Sequence, residues 1–211
     1  MRFSKLFTST IFTLALLIQL NAPSAFAAPK QAKIGESAPE FTLTDNNGKQ
    51  HRLSDYKGKY VILEWFNKDC PFVKKHYESG NMQKLQKEAA DKGAVWFTIT
   101  SSAEGKQGYM TNEIATKVLA DSNAQPTAWL ADPTGEVGKA YDARTTPHMY
   151  VINPEGKLVY AGAIDDKATT DEDDIAEATN YVSSALSESM AGQEVSTAST
   201  QAYGCSIKYA G

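Results

Sequence analysis

Between Tyr60 and Tyr77 (YVILEWFNKDCPFVKKHY) the hydrophobic pattern changes its period, and the rest of the chain is organised around that change. Val61, Ile62 and Leu63 form an unbroken apolar run followed by Trp65 and Phe66, the pattern of a strand covered on both faces. The run breaks at Asn67-Lys68-Asp69, and Cys70-Pro71 follows. Phe72, Val73, His76 and Tyr77 then recur at roughly helical spacing, with proline at a first helical position, where its missing N–H would be unsatisfied anyway.

The same reading extends along the chain. Phe41 with Leu43, and His51 to Leu53, predict short strands around an Asn46-Asn47-Gly48 turn. After the central strand, the first helix pauses at Ser79-Gly80. A second helical stretch carries Met82, Leu85, Ala89 and Ala90 and ends at Lys92-Gly93. Ala94 to Thr100 is an apolar, β-branched strand, Ser101 to Gly108 a polar loop, Asn112 to Ala120 a short helix and Thr127 to Leu130 a third core strand. Val137 to Tyr141 predicts a helical turn. Met149 to Ile152 and Leu158 to Ala161 form a closing hairpin around Asn153-Pro154-Glu155-Gly156. Ile175 to Met190 is amphipathic, with Ile175, Ala178, Val182, Ala185, Leu186 and Met190 on one face. Alternating strands and helices predict an α/β fold with a leading hairpin.

Ahead of these elements, Met1 to Ala27 has the pattern of an export signal. Arg2 and Lys5 precede a mostly apolar Leu6 to Leu20, and Ala25-Phe26-Ala27 is a small-x-small cleavage site. The expectation is a periplasmic or secreted protein of 184 residues (211 minus 27), with no membrane attachment once the signal is removed. Loss of Arg2 and Lys5 takes the formal charge from −4 to −6, which argues against a nucleic-acid or anionic-membrane partner. The expected domain is 28–191. A Ser/Thr/Ala/Gly-rich run follows and predicts a flexible tail over 192–211, carrying Cys205 in AYGCSIKY.

Cys70 and Cys205 are the only cysteines, and an exported chain meets conditions in which disulfides persist. Cys70 falls where a strand ends and a helix begins, facing unpaired N–H groups and the positive end of the helix dipole. Thiols placed this way have pKa values lowered from about 8.5 towards roughly 3.5–7.5, and Lys74 and Lys75 add positive charge. The other reading of Cys70 is an inert, buried small hydrophobe. His51, His76 and His148 show no metal-ligand spacing, and no cofactor is expected. His148 is either structural or a neighbour of Cys70. Asp165 to Asp174 (DDKATTDEDD) reads as a solvated loop whose Asp173 and Asp174 complement the last helix.

Strand, Cys-Pro and helix in this order resemble the thioredoxin superfamily. Ile34 to Phe66 and Thr145 to Asp165 resemble its redoxin branch of peroxiredoxins and exported thioredoxin-like proteins. The resemblance covers about Ile34 to Ala191 and is strongest to a peroxiredoxin-like subgroup with CPFVKKHY and a cysteine near the C-terminus. It implies a central mixed β-sheet flanked by helices and a cis proline at Pro147. Two departures stand out. Val73 occupies the second cysteine position of C-x-x-C, so no dithiol cycle runs inside the motif. Asn67 and Leu63 stand where peroxiredoxins carry a Thr or Ser and a Pro.

By the same resemblance, Glu64 matches a buried carboxylate that exchanges protons during thiol chemistry; the alternative is a solvent-facing carboxylate at a sheet edge. Thr146, before Pro147, would offer its backbone to an extended substrate. Asn67 would supply a hydrogen bond, and Arg144 positive charge. Cys205 is a resolving thiol for a Cys70 sulfenate or mixed disulfide, half of a fixed structural disulfide, or a link between chains. The expected function is thiol-dependent, antioxidant reduction of a peroxide through Cys70, supplied with electrons by an outside thiol donor. Disulfide exchange with a partner protein is the enzymatic alternative. A non-catalytic binding module with a permanent Cys70–Cys205 bond is the other.

Overall fold

A computed structural model describes Met1 and residues 31–211. The signal and its cleavage site therefore lie outside the described residues. No helix among the described residues is long and apolar enough to cross a membrane. The centre is a seven-stranded mixed sheet, built from β1 (Thr42–Asp45), β2 (Gln50–Arg52), β3 (Val61–Trp65), β4 (Val95–Thr100), β5 (Ala128–Ala131), β7 (His148–Ile152) and β8 (Leu158–Gly162). Its spatial order is β2-β1-β5-β4-β3-β7-β8. β3 runs parallel to β4 and antiparallel to β7, with Leu63 opposite Phe97 on one side and Tyr150 on the other. Two two-residue strands, β6 (Thr145–Thr146) and β9 (Cys205–Ser206), pair outside this sheet.

The apolar run of β3 is buried at every position because helices and loops cover both faces. Ile62 and Phe66 join Met149 and Val151 beneath α1 (Pro71–Glu78), α2 (Asn81–Asp91), α3 (Asn112–Asp121) and α5 (Tyr181–Met190). Val61, Leu63 and Trp65 face Phe41, Phe97, Tyr141 and Tyr150 on the other side, with α4 (Glu136–Ala140) packed against them. Glu64 shares the parity of Ile62 and Phe66, so it points under α1.

Several element boundaries differ from the pattern. Leu53 opens a 3-10 turn, Leu53–Tyr56, instead of ending a strand. The expected helix from Ile175 is broken: Asp173–Glu177 is a 3-10 turn and Ala178 is extended. Asn180 then caps α5 by accepting from Ser183 N–H at 2.9 Å. Asp173 and Asp174 therefore sit on the turn, and Asn180 supplies the cap. The acidic segment is also not wholly solvated, because Asp165 is buried.

The tail is the largest departure. Its small polar residues predict flexibility, yet it lies against the domain. Val195 and Ile207 are buried, Ala161 bonds Ala198 and Thr200 through its backbone, and Thr200 Oγ1 accepts from Ala163 N–H at 2.9 Å. Backbone pairing and scattered apolar anchors hold a segment whose composition alone resembles a linker.

Candidate functional site

Cys70 is the N-cap of α1, with extended backbone angles and Pro71 next to it. Its carbonyl accepts from Val73 N–H and Lys74 N–H, starting the helix. The side chain is fully buried, and the thiol donates to Thr146 O at 3.0 Å. The Thr146–Pro147 peptide is cis, as the resemblance implies, and Thr146 of β6 meets the start of α1 through the Cys70 thiol.

β9 pairs antiparallel with β6, Cys205 opposite Thr146 and Ser206 opposite Thr145; Ile207 N–H continues the ladder to Arg144 O at 3.0 Å. This pairing carries the Cys205 thiol to the Cys70 sulfur. Both cysteines are free thiols. Burial disfavours the Cys70 thiolate, but hydrogen bonds from the Cys205 thiol, the Thr146 side chain, Val73 N–H and Cys205 N–H outweigh it and hold Cys70 below the ordinary thiol value. Cys205 is pushed the other way, to about 11, by burial first and then by its hydrogen bond to Cys70 and the Cys70 charge. The result is a thiol held below the ordinary value beside one held above it.

Of the two lysines expected to favour this thiolate, Lys74 is exposed, while Lys75 is buried and spends its ammonium elsewhere. Lys75 Nζ donates to Lys167 O at 3.1 Å and Thr169 Oγ1 at 3.3 Å, tying down the acidic segment.

Glu64 is fully buried, which rules out the solvent-facing alternative. Its carboxylate accepts from Tyr77 Oη, Trp96 Nε1 and Thr98 Oγ1 at 2.9 Å each and from Gln86 Nε2 at 3.5 Å. Burial nevertheless outweighs these donors and raises its pKa. Tyr77 lies on α1, so Glu64 is joined to the helix that Cys70 caps.

Asn67 is buried; its Oδ1 accepts from Asp69 N–H at 2.9 Å, and its Nδ2 has no hydrogen-bond partner. Arg144 does not serve Cys70. Its guanidinium, just ahead of β6, is exposed and bonded to the Asp142 carboxylate at 2.8 Å. His148 belongs to the opposite face of the sheet, its ring tilted against that of Tyr150 with centroids 4.6 Å apart. Burial lowers its pKa to about 4. A cleft of about 690 Å³ beside α1, floored by Phe66, Val73 and Tyr77, does not include Cys70 in its lining. No group of three or more metal-capable side chains gathers among the described residues.

Comparison with known proteins decides the kinship. Residues 34–161 match the AhpC/TSA family profile. The chain belongs to the AhpC/TSA family. It is 32% identical over 158 residues to the thiol-disulfide oxidoreductase ResA of Bacillus subtilis (strain 168), a match covering 74% of this chain and 83% of that protein. Among solved structures it is similar to an uncharacterized conserved protein from Geobacillus kaustophilus, with TM-score 0.71, 28% identity, and 86% and 95% of the two chains covered. It also shares its fold with the thioredoxin domain of a thiol-disulfide oxidoreductase from Bacteroides vulgatus, with TM-score 0.51, 22% identity, and 70% and 98% covered. The fold is thus thioredoxin-like, and this AhpC/TSA protein is an oxidoreductase.

Three residues around the AhpC/TSA thiol pair were not visible as a group in the sequence. Tyr203, two residues before Cys205, donates its hydroxyl to Asp165 and packs its ring on Phe72 with centroids 5.7 Å apart. Asp165 faces His76 of α1, with Nε2 3.9 Å from Oδ2. Gly204 separates this group from Cys205. A tyrosine and a glycine directly ahead of the lone tail cysteine were the available signal.

Proposed function

We propose that this protein catalyses thiol–disulfide exchange in an exported compartment, with Cys70 as attacking thiol and Cys205 as the resolving thiol supplied from the tail. The observation that carries the reading is the hydrogen bonding of Cys205 to Cys70 across Thr146. The kinship with a thiol-disulfide oxidoreductase supports disulfide exchange over peroxide reduction. Asn67, in place of a hydroxyl three residues before the thiol, also weighs against peroxide as the main substrate.

The Cys70 thiolate attacks one sulfur of a substrate disulfide. The S–S bond breaks, one substrate sulfur leaves as a thiolate and takes a proton, and Cys70 holds the other as a mixed disulfide. Cys70 has then lost the negative charge that helped to raise the Cys205 pKa, so Cys205 ionises more readily. Its thiolate attacks the Cys70 sulfur, the second substrate thiol leaves, and the protein holds a Cys70–Cys205 disulfide. The substrate has gained two electrons and the pair has lost two, which an outside thiol donor returns. Glu64, its pKa raised by burial and its carboxylate linked to α1 through Tyr77, is the proton reservoir for this exchange.

The test offers reduced protein equal amounts of hydrogen peroxide and a disulfide peptide. Faster consumption of the disulfide, with the Cys70–Cys205 bond as the protein product, is expected. Faster loss of peroxide, or a Cys205 bond found only between chains, overturns the reading.

A further inference from the structure

Cys70 is completely buried in a protein whose chemistry requires that sulfur to meet a substrate. Against it lies a two-residue strand, β9, which pairs with Thr146 and whose Cys205 hydrogen-bonds to the Cys70 sulfur. Two features hold this strand in place.

The first is the approach of Gly204 to β6. Its φ is +129°, and a Cβ built there would stand 2.0 Å from Thr146 O. Only glycine allows the tail backbone to lie so close, because any side chain at this position would collide with backbone that cannot yield.

The second is the anchorage of Tyr203. Its hydroxyl donates to the Asp165 carboxylate, which also accepts from Lys167 N–H at 3.0 Å. Asp165 and His76 are both fully enclosed, and His76 Nδ1 is bonded to Asn81 at 2.9 Å. A buried carboxylate needs its donors, so removing the tyrosine hydroxyl leaves an under-satisfied acceptor and loosens the tail at one point.

Resting on the proposed exchange reaction, we infer that Tyr203 is a positioning residue. By docking on Asp165 it holds the Cys205 strand over Cys70, and its release is the step that admits substrate. The same contact has two opposed effects. While docked, it denies outside reagents the Cys70 sulfur. Once Cys70 carries a mixed disulfide, it returns Cys205 to attack position and raises the effective concentration of the resolving thiol. Weakening the contact must therefore move access and resolution in opposite directions, whereas a general loosening of the fold has no reason to impair resolution selectively.

The test uses full-length Tyr203→Phe and Gly204→Ala, with folding checked by circular dichroism. In a Cys205→Ser background, labelling of Cys70 by a maleimide is expected to accelerate in both, on the order of tenfold in Tyr203→Phe, the scale of one hydrogen bond to a charged group. With Cys205 present, oxidised glutathione converts Cys70 to its glutathione mixed disulfide. Attack by Cys205 then releases glutathione thiol and forms the internal bond. This release is expected to slow on the order of tenfold, and the internal disulfide to give way to the mixed disulfide at equilibrium. Labelling at the unsubstituted rate overturns the inference. So does faster labelling with unchanged resolution, which would leave β9 a mere cover. If Gly204→Ala does not fold, Tyr203→Phe alone decides. The maleimide arm involves no disulfide exchange, so faster labelling of Cys70 can occur in a protein that fails to reduce a disulfide peptide, and the two proposals fail separately.

Discussion

Cys205 lies directly opposite Thr146, the residue whose carbonyl accepts the Cys70 thiol hydrogen bond. The tail cysteine thus occupies, by backbone pairing, the place beside Cys70 that Val73 leaves without a second thiol in the helix.

The two cysteines should therefore respond differently to substitution. Cys205→Ser is expected to accumulate a long-lived mixed disulfide on Cys70 after one encounter with a disulfide peptide, and to lose most of its turnover. Cys70→Ser should leave Cys205 largely unmodified, since burial, the first cause of its raised pKa, persists in that variant. Intact-mass spectrometry after quenching checks both. Equal turnover of Cys205→Ser and the unsubstituted protein would sink the resolving role.

Titration should be reciprocal. Removing the Cys205 donor in Cys205→Ala should raise the Cys70 pKa, and removing the Cys70 charge in Cys70→Ala should bring Cys205 down from about 11. Ultraviolet thiolate absorbance reads both. A Cys70 titration unmoved by Cys205→Ala would contradict the hydrogen-bond geometry.

Glu64→Gln should slow exchange by about 10²-fold or more if Glu64 moves a proton in the rate-limiting step, while the Cys70 labelling rate stays near that of the unsubstituted protein. Stability should respond too. The folded pKa of Glu64 is raised, so the native state holds its proton longer than the unfolded chain does. Its ionisation therefore costs stability as pH climbs above about 4.3, and Glu64→Gln removes that cost. Urea unfolding between pH 5 and 8 checks the sign.

The two buried histidines act in the opposite sense. His76 and His148 both have folded pKa values of about 4, caused first by burial. Below an unfolded value of about 6.5 the unfolded chain takes up protons that the native state refuses, so stability falls as pH drops through the window from about 6.5 to 4. His76→Gln should reduce the slope of unfolding free energy against pH by up to about 1.4 kcal/mol per pH unit within that window. An unchanged slope would show that His76 is not held neutral.

The central strand, Cys70 and the first helix were legible because an apolar run, a break and Cys-Pro each carry a strong local signal. Glu64 was harder. Strand alternation places it on the Ile62 face, but only the donors from Tyr77, Gln86, Trp96 and Thr98 reveal how deep that face lies. The tail misled because its small polar residues look like a linker, while its order comes from backbone bonds to Ala161 and Arg144 that composition does not encode. Arg144 misled for a related reason. Its nearness to Pro147 in sequence says nothing of direction, and the side chain turns to Asp142. The Tyr203–Asp165–His76 group joins three separate segments, and no spacing rule links them.

The backbone bonds of Ala161 have a consequence for the solution behaviour of the molecule. β8 ends the seven-stranded sheet, and a bare end strand is a template on which another chain can grow. Here Gly35 and Glu36 occupy the outward groups of Leu158, and Ala198 and Thr200 occupy those of Ala161. The stretch that carries Cys205 thus also blunts the sheet margin against sticking to its neighbours. Each excursion that lifts the tail far enough to free Ala161 would expose a sticky border. Brief openings at β9, with residues 198–200 left in place, are therefore the safer mode for a protein whose proposed cycle opens it repeatedly.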